Sequence, residues 1–173
     1  RRQRQMCIRD RLSTSTQNYL KAIWGLKEWS SEPVTATLIA KQLGLKLSSV
    51  SDAVRKMAKQ GLVSHTPYGS VELTELGRQY ALVMVRRHRL LESFLVQALG
   101  YTWDEVHNEA ENLEHAVSDM LIERVDKFLD YPTRDPHGDP IPTVDGQITI
   151  PSAHRLTDSG AQSQVTVERI SDS

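Results

Sequence analysis

The chain has 173 residues, a formal net charge of −1, 25% charged and 39% hydrophobic residues and a single cysteine. Charges interrupt every apolar run, which excludes a membrane span, and the lone Cys7 excludes an internal disulfide and fits a reducing cytoplasm. Basic residues open the chain with no apolar core behind them, so no signal peptide is expected.

Residues 1–14 read as a disordered basic arm. From Thr16 the apolar positions Tyr19, Leu20, Ile23, Trp24 and Leu26 recur at three and four, which predicts a helix ending in the polar stretch Ser30-Ser31-Glu32-Pro33. Thr35 or Thr37 caps a short second helix to about Leu43, and Gly44 makes a tight turn. A third helix is expected from Ser48 to about Gln60, capped by Leu47 or Ser48 and stopped by Gly61. Leu62-Val63-Ser64-His65 and Val71-Glu72-Leu73 flank Thr66-Pro67-Tyr68-Gly69-Ser70 as a β-hairpin. Thr74 caps a long helix to about Leu99, ended by Gly100. Thr102 with Glu105 forms a capping box for a last helix that stops before Pro132. An irregular Pro-rich linker follows, and Gln164-Val165-Thr166-Val167-Glu168 alternates like a strand with no partner, as at the edge of a further domain.

Helix, short turn, helix, then hairpin is the order of a winged helix-turn-helix. Ala40 allows the close crossing of its two helices, and Val50 and Val54 pack the second onto the first. Thr35, Thr37, Lys46, Ser48, Ser49, Ser51, Asp52, Arg55, Lys56 and, at the hairpin tip, Tyr68 are the expected DNA-facing residues. Short hydroxyls approach phosphates and base edges, and Arg55 and Lys56 neutralise backbone charge. Helix capping is the plainer reading of Ser48 to Ser51, and Asp52 suits DNA only where it accepts from a cytosine amino group. Lys41, Lys46, Arg55, Lys56 and Lys59 form a basic cluster, while acids gather between Asp104 and Asp126.

That acidic stretch carries the second motif. Wound as one helix at about 100° per residue, His107, Glu111, Glu114 and His115 share about one third of the circumference. They border an apolar stripe of Val106, Ala110, Leu113, Val117, Met120 and Leu121 that should face the core. His88 and Glu92, spaced i,i+4 on the preceding helix, are donors that a packed neighbour would contribute. Imidazole and carboxylate together suit manganese, iron or zinc. Any one of these side chains is most simply a solvated or paired charge; the set points to a metal site.

At this point the residues match a family. From about Gln17 to Pro142 the chain resembles the diphtheria toxin repressor family of metal-dependent transcriptional repressors, most like its actinobacterial manganese-responsive branch. The segments that carry the resemblance are Met84-Val85-Arg86-Arg87-His88-Arg89-Leu90-Leu91-Glu92, Glu105 through His115, and Arg134-Asp135-Pro136-His137-Gly138-Asp139-Pro140-Ile141-Pro142. The resemblance implies a mainly α protein. Its parts would be a winged helix-turn-helix over 15–75, a helical dimerisation and metal-binding domain over 76–142, and a linker and the beginning of a C-terminal SH3-like β-domain over 143–173. It implies that His88, Glu92 and His107 hold one ion, and that Glu111, Glu114 and His115, with Asn18, hold another. Iron-responsive members carry cysteine where this chain has Glu111, so the implied ion is Mn²⁺, with Fe²⁺ or Zn²⁺ as alternatives. Asn18 departs from the aspartate usual in manganese-responsive relatives, and Lys21 from a glutamate found in some.

The implied function is a cytoplasmic manganese-dependent repressor, without enzymatic activity, that binds operator DNA as a homodimer and controls metal-uptake genes. Dimer contacts are expected around Leu90, Leu91, Phe94, Leu95 and Trp103, whose alternative place is the protomer core. Two rival classes stay open: a metal-independent winged-helix regulator, and a di-iron carboxylate enzyme. The latter needs Glu-x-x-His, which Asn112 before His115 and Asp104 before His107 do not supply.

Overall fold

The computed structural model describes residues 12–66, 69–153, 155–160 and 164–170. It divides into two compact units, Arg1–Met84 and Val85–Ser173. No helix among the described residues is long and apolar enough to cross a membrane.

In the first unit, α1 (Thr14–Trp29) starts two residues before the sequence expectation because Ser13 accepts a hydrogen bond from the Thr16 backbone N–H. Its Thr16, Tyr19, Leu20 and Ile23 recur at three and four and are buried. Thr35 caps α2 (Ala36–Leu43) by accepting from Leu38 N–H, and Gly44 takes φ +63°, a left-handed conformation that a side chain would oppose. Helix α3 (Leu47–Lys59) begins earlier than expected. Its N-cap is Lys46, with no side-chain cap, so neither Leu47 nor Ser48 caps it. Val50, Val54 and Met57 turn inward on a single stripe.

Strands β1 (Val63–His65) and β2 (Val71–Leu73) pair antiparallel, Val63 opposite Leu73 and His65 opposite Val71. Val71 N–H donates to Val34 O at 2.8 Å, which ties the wing to the segment before α2. The long α4 (Glu75–Leu99) begins as Thr74 accepts from Gly77 N–H at 3.1 Å. At Gly77 a Cβ would lie 1.9 Å from Leu62 O, so only glycine lets the first turn of α4 approach the wing so closely.

The second unit holds the C-terminal half of α4, then α5 (Trp103–Glu114) and α6 (Asp119–Phe128). The Thr102–Glu105 capping box is formed. Leu90, Leu91, Leu95, Val106, Ala110, Ile122, Val125 and Ile141 make its core. Leu90, Leu91 and Leu95 thus belong inside the protomer and not to a dimer face, whereas Trp103 is 54% exposed.

Three further expectations are corrected. The single helix expected from Thr102 to Pro132 is two: α5 stops at Glu114 and Ser118 opens α6 by accepting from Leu121 N–H. The apolar stripe therefore ends with α5, and Met120 and Leu121 face outward at 67% and 46% exposure. The tail does have partners. Ile170 N–H donates to His137 O, Arg134 pairs with Glu168, and Arg169 pairs with Asp139. No strand forms there among the described residues.

Between Asp130 and Ile141 the chain is irregular but tied to itself. Asp135 N–H donates to Asp139 O, Gly138 N–H to Asp135 O, and Ile141 N–H to Thr133 O, all within 2.9–3.0 Å. Arg86, Arg87 and Arg89 of α4 each donate to one backbone carbonyl, Pro142, Glu114 and Pro140 respectively, and each also meets a carboxylate. Three arginines within about one turn of the helix, Arg87 and Arg89 buried and Arg86 partly so, are tolerated because each guanidinium meets both a carbonyl and a carboxylate.

Candidate metal centre and nucleic-acid interface

Helix α4 presents His88 and Glu92 one turn apart, and α5 brings His107 against them. His88 Nε2 lies 3.0 Å from Glu92 Oε1 and 3.2 Å from His107 Nδ1, and His107 Nδ1 lies 3.3 Å from the same Glu92 oxygen. Bonds of about 2.1 Å to one cation would put neighbouring ligands about 3.0 Å apart in an octahedron and about 3.4 Å in a tetrahedron. The three donors already have that separation, held by hydrogen bonds among themselves. Glu92 is 1% exposed, and its second oxygen, Oε2, is buried with no hydrogen-bond partner. An unanswered carboxylate oxygen in a protein interior is costly unless a cation completes it. These residues fit a divalent metal.

Burial pushes the Glu92 carboxyl up. The hydrogen bonds it accepts from His107 and His88, with their charge, outweigh that and hold it below the usual carboxylate range. The group is thus an anion ready to bind a metal.

The second expected set converges less. Glu114 is fully buried, with Oε2 2.6 Å from His88 Nδ1 and Oε1 3.3 Å from His115 Nε2. Glu111 instead stands half-exposed, 3.8 Å from His107 Nε2. His88 consequently faces Glu92 with one ring nitrogen and Glu114 with the other. A carboxylate on the far nitrogen of an imidazole fixes its ring and raises its basicity as a ligand. Asn18, in the first unit, has its side-chain oxygen buried without a hydrogen-bond partner beside Tyr19, in a cleft lined also by Thr14, Ser15, Leu43 and Leu45.

Sequence reasoning missed two candidate donors. Glu92, Asp135 and His137 bring one ligand atom each within 4.8 Å of one another. Asp135 Oδ1 accepts from the backbone N–H of His137 and of Asp139, both at 2.9 Å, and so folds the loop around its own side chain. His137 Nδ1 is buried with no hydrogen-bond partner. Burial, then the nearby Asp139 and Glu92 carboxylates, push Asp135 up to about 7, against the Asp139 N–H and Arg89. The available signal was an Asp and a His two apart in a Pro/Gly turn, Asp135-Pro136-His137-Gly138; on its own it reads as a linker.

On α3 the DNA-facing expectation divides. Lys46, Ser48, Ser49, Asp52, Arg55 and Lys56 are exposed on one helix and the residue before it, and Thr37 is exposed on α2. Ser51 is half-buried, so it is a poorer contact than its neighbours. Thr35 is also half-buried and spends its hydroxyl as the α2 cap. Asp52 pairs with Arg55 on the exposed face. Tyr68 lies outside the described residues, as do residues 1–11 of the basic arm.

A winged helix-turn-helix with a basic, hydroxyl-bearing second helix is followed here by a helical unit that gathers imidazoles and carboxylates in its interior, the architecture expected of a metal-responsive DNA-binding protein. Residues 11–71 match the family model described as iron dependent repressor, N-terminal DNA binding domain. Residues 74–143 match iron dependent repressor, metal binding and dimerisation domain. The chain belongs to the diphtheria toxin repressor family of metal-dependent transcriptional repressors.

It is 40% identical over 131 residues to the iron-dependent repressor IdeR of Mycobacterium bovis, a match covering 76% of this chain and 56% of that protein. The chain thus spans little more than half the length of that relative. Among solved structures, a manganese-dependent transcriptional repressor in complex with manganese is 55% identical with a TM-score of 0.86, covering 91% of this chain and 72% of that one. The manganese regulator SloR is 42% identical with a TM-score of 0.68, over 77% of this chain and 61% of that one.

Proposed function

We propose that this chain is the DNA-binding and metal-sensing part of a manganese-dependent repressor, which binds operator DNA as a homodimer and controls metal-uptake genes. The observation that carries the reading is the buried Glu92 carboxylate, held anionic between two imidazoles with one oxygen unanswered.

His88, Glu92 and His107 would hold one ion, and Glu111, Glu114 and His115 supply a second donor set. Asn18, with its unpartnered buried oxygen, is the further donor in this reading. A bound divalent cation would supply the positive charge that offsets the buried Glu92 and Glu114 carboxylates. Manganese is favoured over iron and zinc because Glu111 offers a hard oxygen in a set without sulfur. One similar solved structure is described as a manganese-dependent repressor and another as a manganese regulator.

Lys46, Ser48, Ser49, Arg55 and Lys56 would meet duplex DNA. The exposed Leu99, Trp103, Met120 and Phe128 offer apolar surface for a second copy. A metal shifts DNA affinity only through its differential affinity for the binding-competent state, and a coupling of about 1–3 kcal/mol changes affinity about 5- to 150-fold.

The test is to select binding sites from random duplex in the presence of Mn²⁺. Affinity for the selected duplex is then measured across Mn²⁺, Fe²⁺, Zn²⁺ and a strong chelator, with metal content determined on the same samples. Tightest binding with Mn²⁺ and loss with chelator is the expected outcome. Equal binding in chelator would overturn the metal dependence and leave a metal-independent winged-helix regulator.

A further inference from the structure

Arg87 is adjacent in sequence to a metal-donor histidine, is 9% exposed, and lies close enough to Glu114 for the two charges to interact. Its Nη1 donates to the backbone carbonyl of Glu114 at 2.9 Å, and its Nη2 pairs with Asp119 at 2.5 Å. In an unbroken helix the Glu114 carbonyl would accept from the N–H of residue 118. Here α5 ends, Leu113 O takes the N–H groups of both Ala116 and Val117, and Glu114 O accepts from the guanidinium. The last carbonyls of a helix lack internal partners and carry partial negative charge, so a buried cation there is well placed. Asp119, in the first turn of α6, holds the other side of the fork. One planar group thus clamps the end of α5 and the start of α6 to α4.

Glu114 is consequently gripped twice from consecutive α4 residues. Arg87 takes its main chain and His88, 2.6 Å away, its carboxylate. His115, the next residue and the cap of α5, is 3.3 Å from that carboxylate. We propose that Arg87 is a positioning residue for the Glu114–His115 donor pair, setting the break between α5 and α6 so that both side chains point to one place. The proposal rests on the metal-binding reading of Glu114 and His115 given above.

Position and charge predict opposite signs. A buried guanidinium near the donors repels a cation, so removing it would tighten binding if charge were its whole effect. As a clamp, its loss loosens binding. Partners that orient ligands typically account for about 10- to 100-fold in metal affinity. Arg87→Lys, which keeps charge but loses the fork, and Arg87→Met, which loses both, are therefore both expected to bind Mn²⁺ at least about tenfold more weakly. Asp119→Asn, which frees only one side of the clamp, shifts affinity less and in the same direction.

Free Mn²⁺ measured by electron paramagnetic resonance reads affinity on the whole chain without DNA. The ligand-field bands of the Co²⁺-loaded protein read the donor geometry, which a purely structural role elsewhere in the fold would leave unchanged. Weaker Mn²⁺ binding with altered Co²⁺ bands in Arg87→Lys, at wild-type helix content, supports the proposal. Wild-type affinity and bands in Arg87→Lys, or tighter binding in Arg87→Met, overturn it. If both Arg87 variants fail to fold, Asp119→Asn decides by the same two readouts. A wild-type chain that takes up no Mn²⁺ overturns the metal reading itself, and the proposal with it.

Discussion

The first unit fills its interior with apolar side chains, Leu20, Ile39, Val50 and Val54 among them, and Thr16 is the one buried polar residue among its described residues. The second buries His88, Glu92, Glu114, Asp135, His137 and Asp139 beside Leu90 and Val106. An apolar interior holds its shape by the hydrophobic effect, worth about 1.5–3 kcal/mol for each large side chain buried, and needs nothing from outside. A charged interior is weakly stabilising at best, because desolvation offsets much of the attraction between its groups. A bound cation would stabilise such an interior further. The difference suits a scaffold that presents a helix to DNA and a sensor whose stability depends on the solution around it.

The comparison breaks first at His88. Metal at about a hundredfold over its Kd stabilises a protein by about 2.7 kcal/mol, or at least about 10 °C in Tm for a unit of this size. His88→Ala, which removes the side chain that faces both Glu92 and Glu114, is expected to abolish the Mn²⁺-induced rise in Tm and the Mn²⁺ stimulation of DNA binding. A full Tm rise in calorimetry would place the ion elsewhere.

Ile39→Ala probes the other unit. Ile39 is fully buried in the apolar core, so its truncation is expected to cost about 2–5 kcal/mol in denaturant unfolding. Mn²⁺ affinity at low temperature should not move. A matching loss of metal affinity would mean that the interiors are not independent.

The smallest effect expected is at Arg55. Its exposed pairing with Asp52 contributes little to stability, so Arg55→Ala should leave Tm and Mn²⁺ binding unchanged. It should weaken DNA binding similarly for all sequences and lower the salt slope by about one. An unchanged slope would remove Arg55 from the phosphate contacts.

Local signals were readable wherever the chain answers them locally. The Thr35 cap, the left-handed Gly44 and Gly61, the hairpin and the Thr102–Glu105 box are all formed where their residue types put them. Periodicity failed at His115 to Ser118, where the wheel continued and the helix did not. The Ser118-Asp119 start signal was present, but what occupies the last carbonyl of α5 is Arg87, distant in sequence. Asp135 and His137 were hidden for a related reason, since a turn-rich linker reveals a donor set only when Glu92 is brought beside it. Leu90, Leu91 and Leu95, expected at a dimer face, lie in the protomer core, because apolar spacing states that a face is covered and not by what.

From the residues alone came the winged order of elements, the basic second helix, and the chemical character of a cluster rich in imidazole and carboxylate, because capping, turn formation and amphipathic spacing act over a few neighbouring positions. Packing alone decided which donors meet, that Glu92 keeps an unanswered oxygen, and where the acidic helix breaks. Those outcomes depend on groups far apart along the chain competing to satisfy buried polar atoms, and that competition is settled only when the helices close on one another.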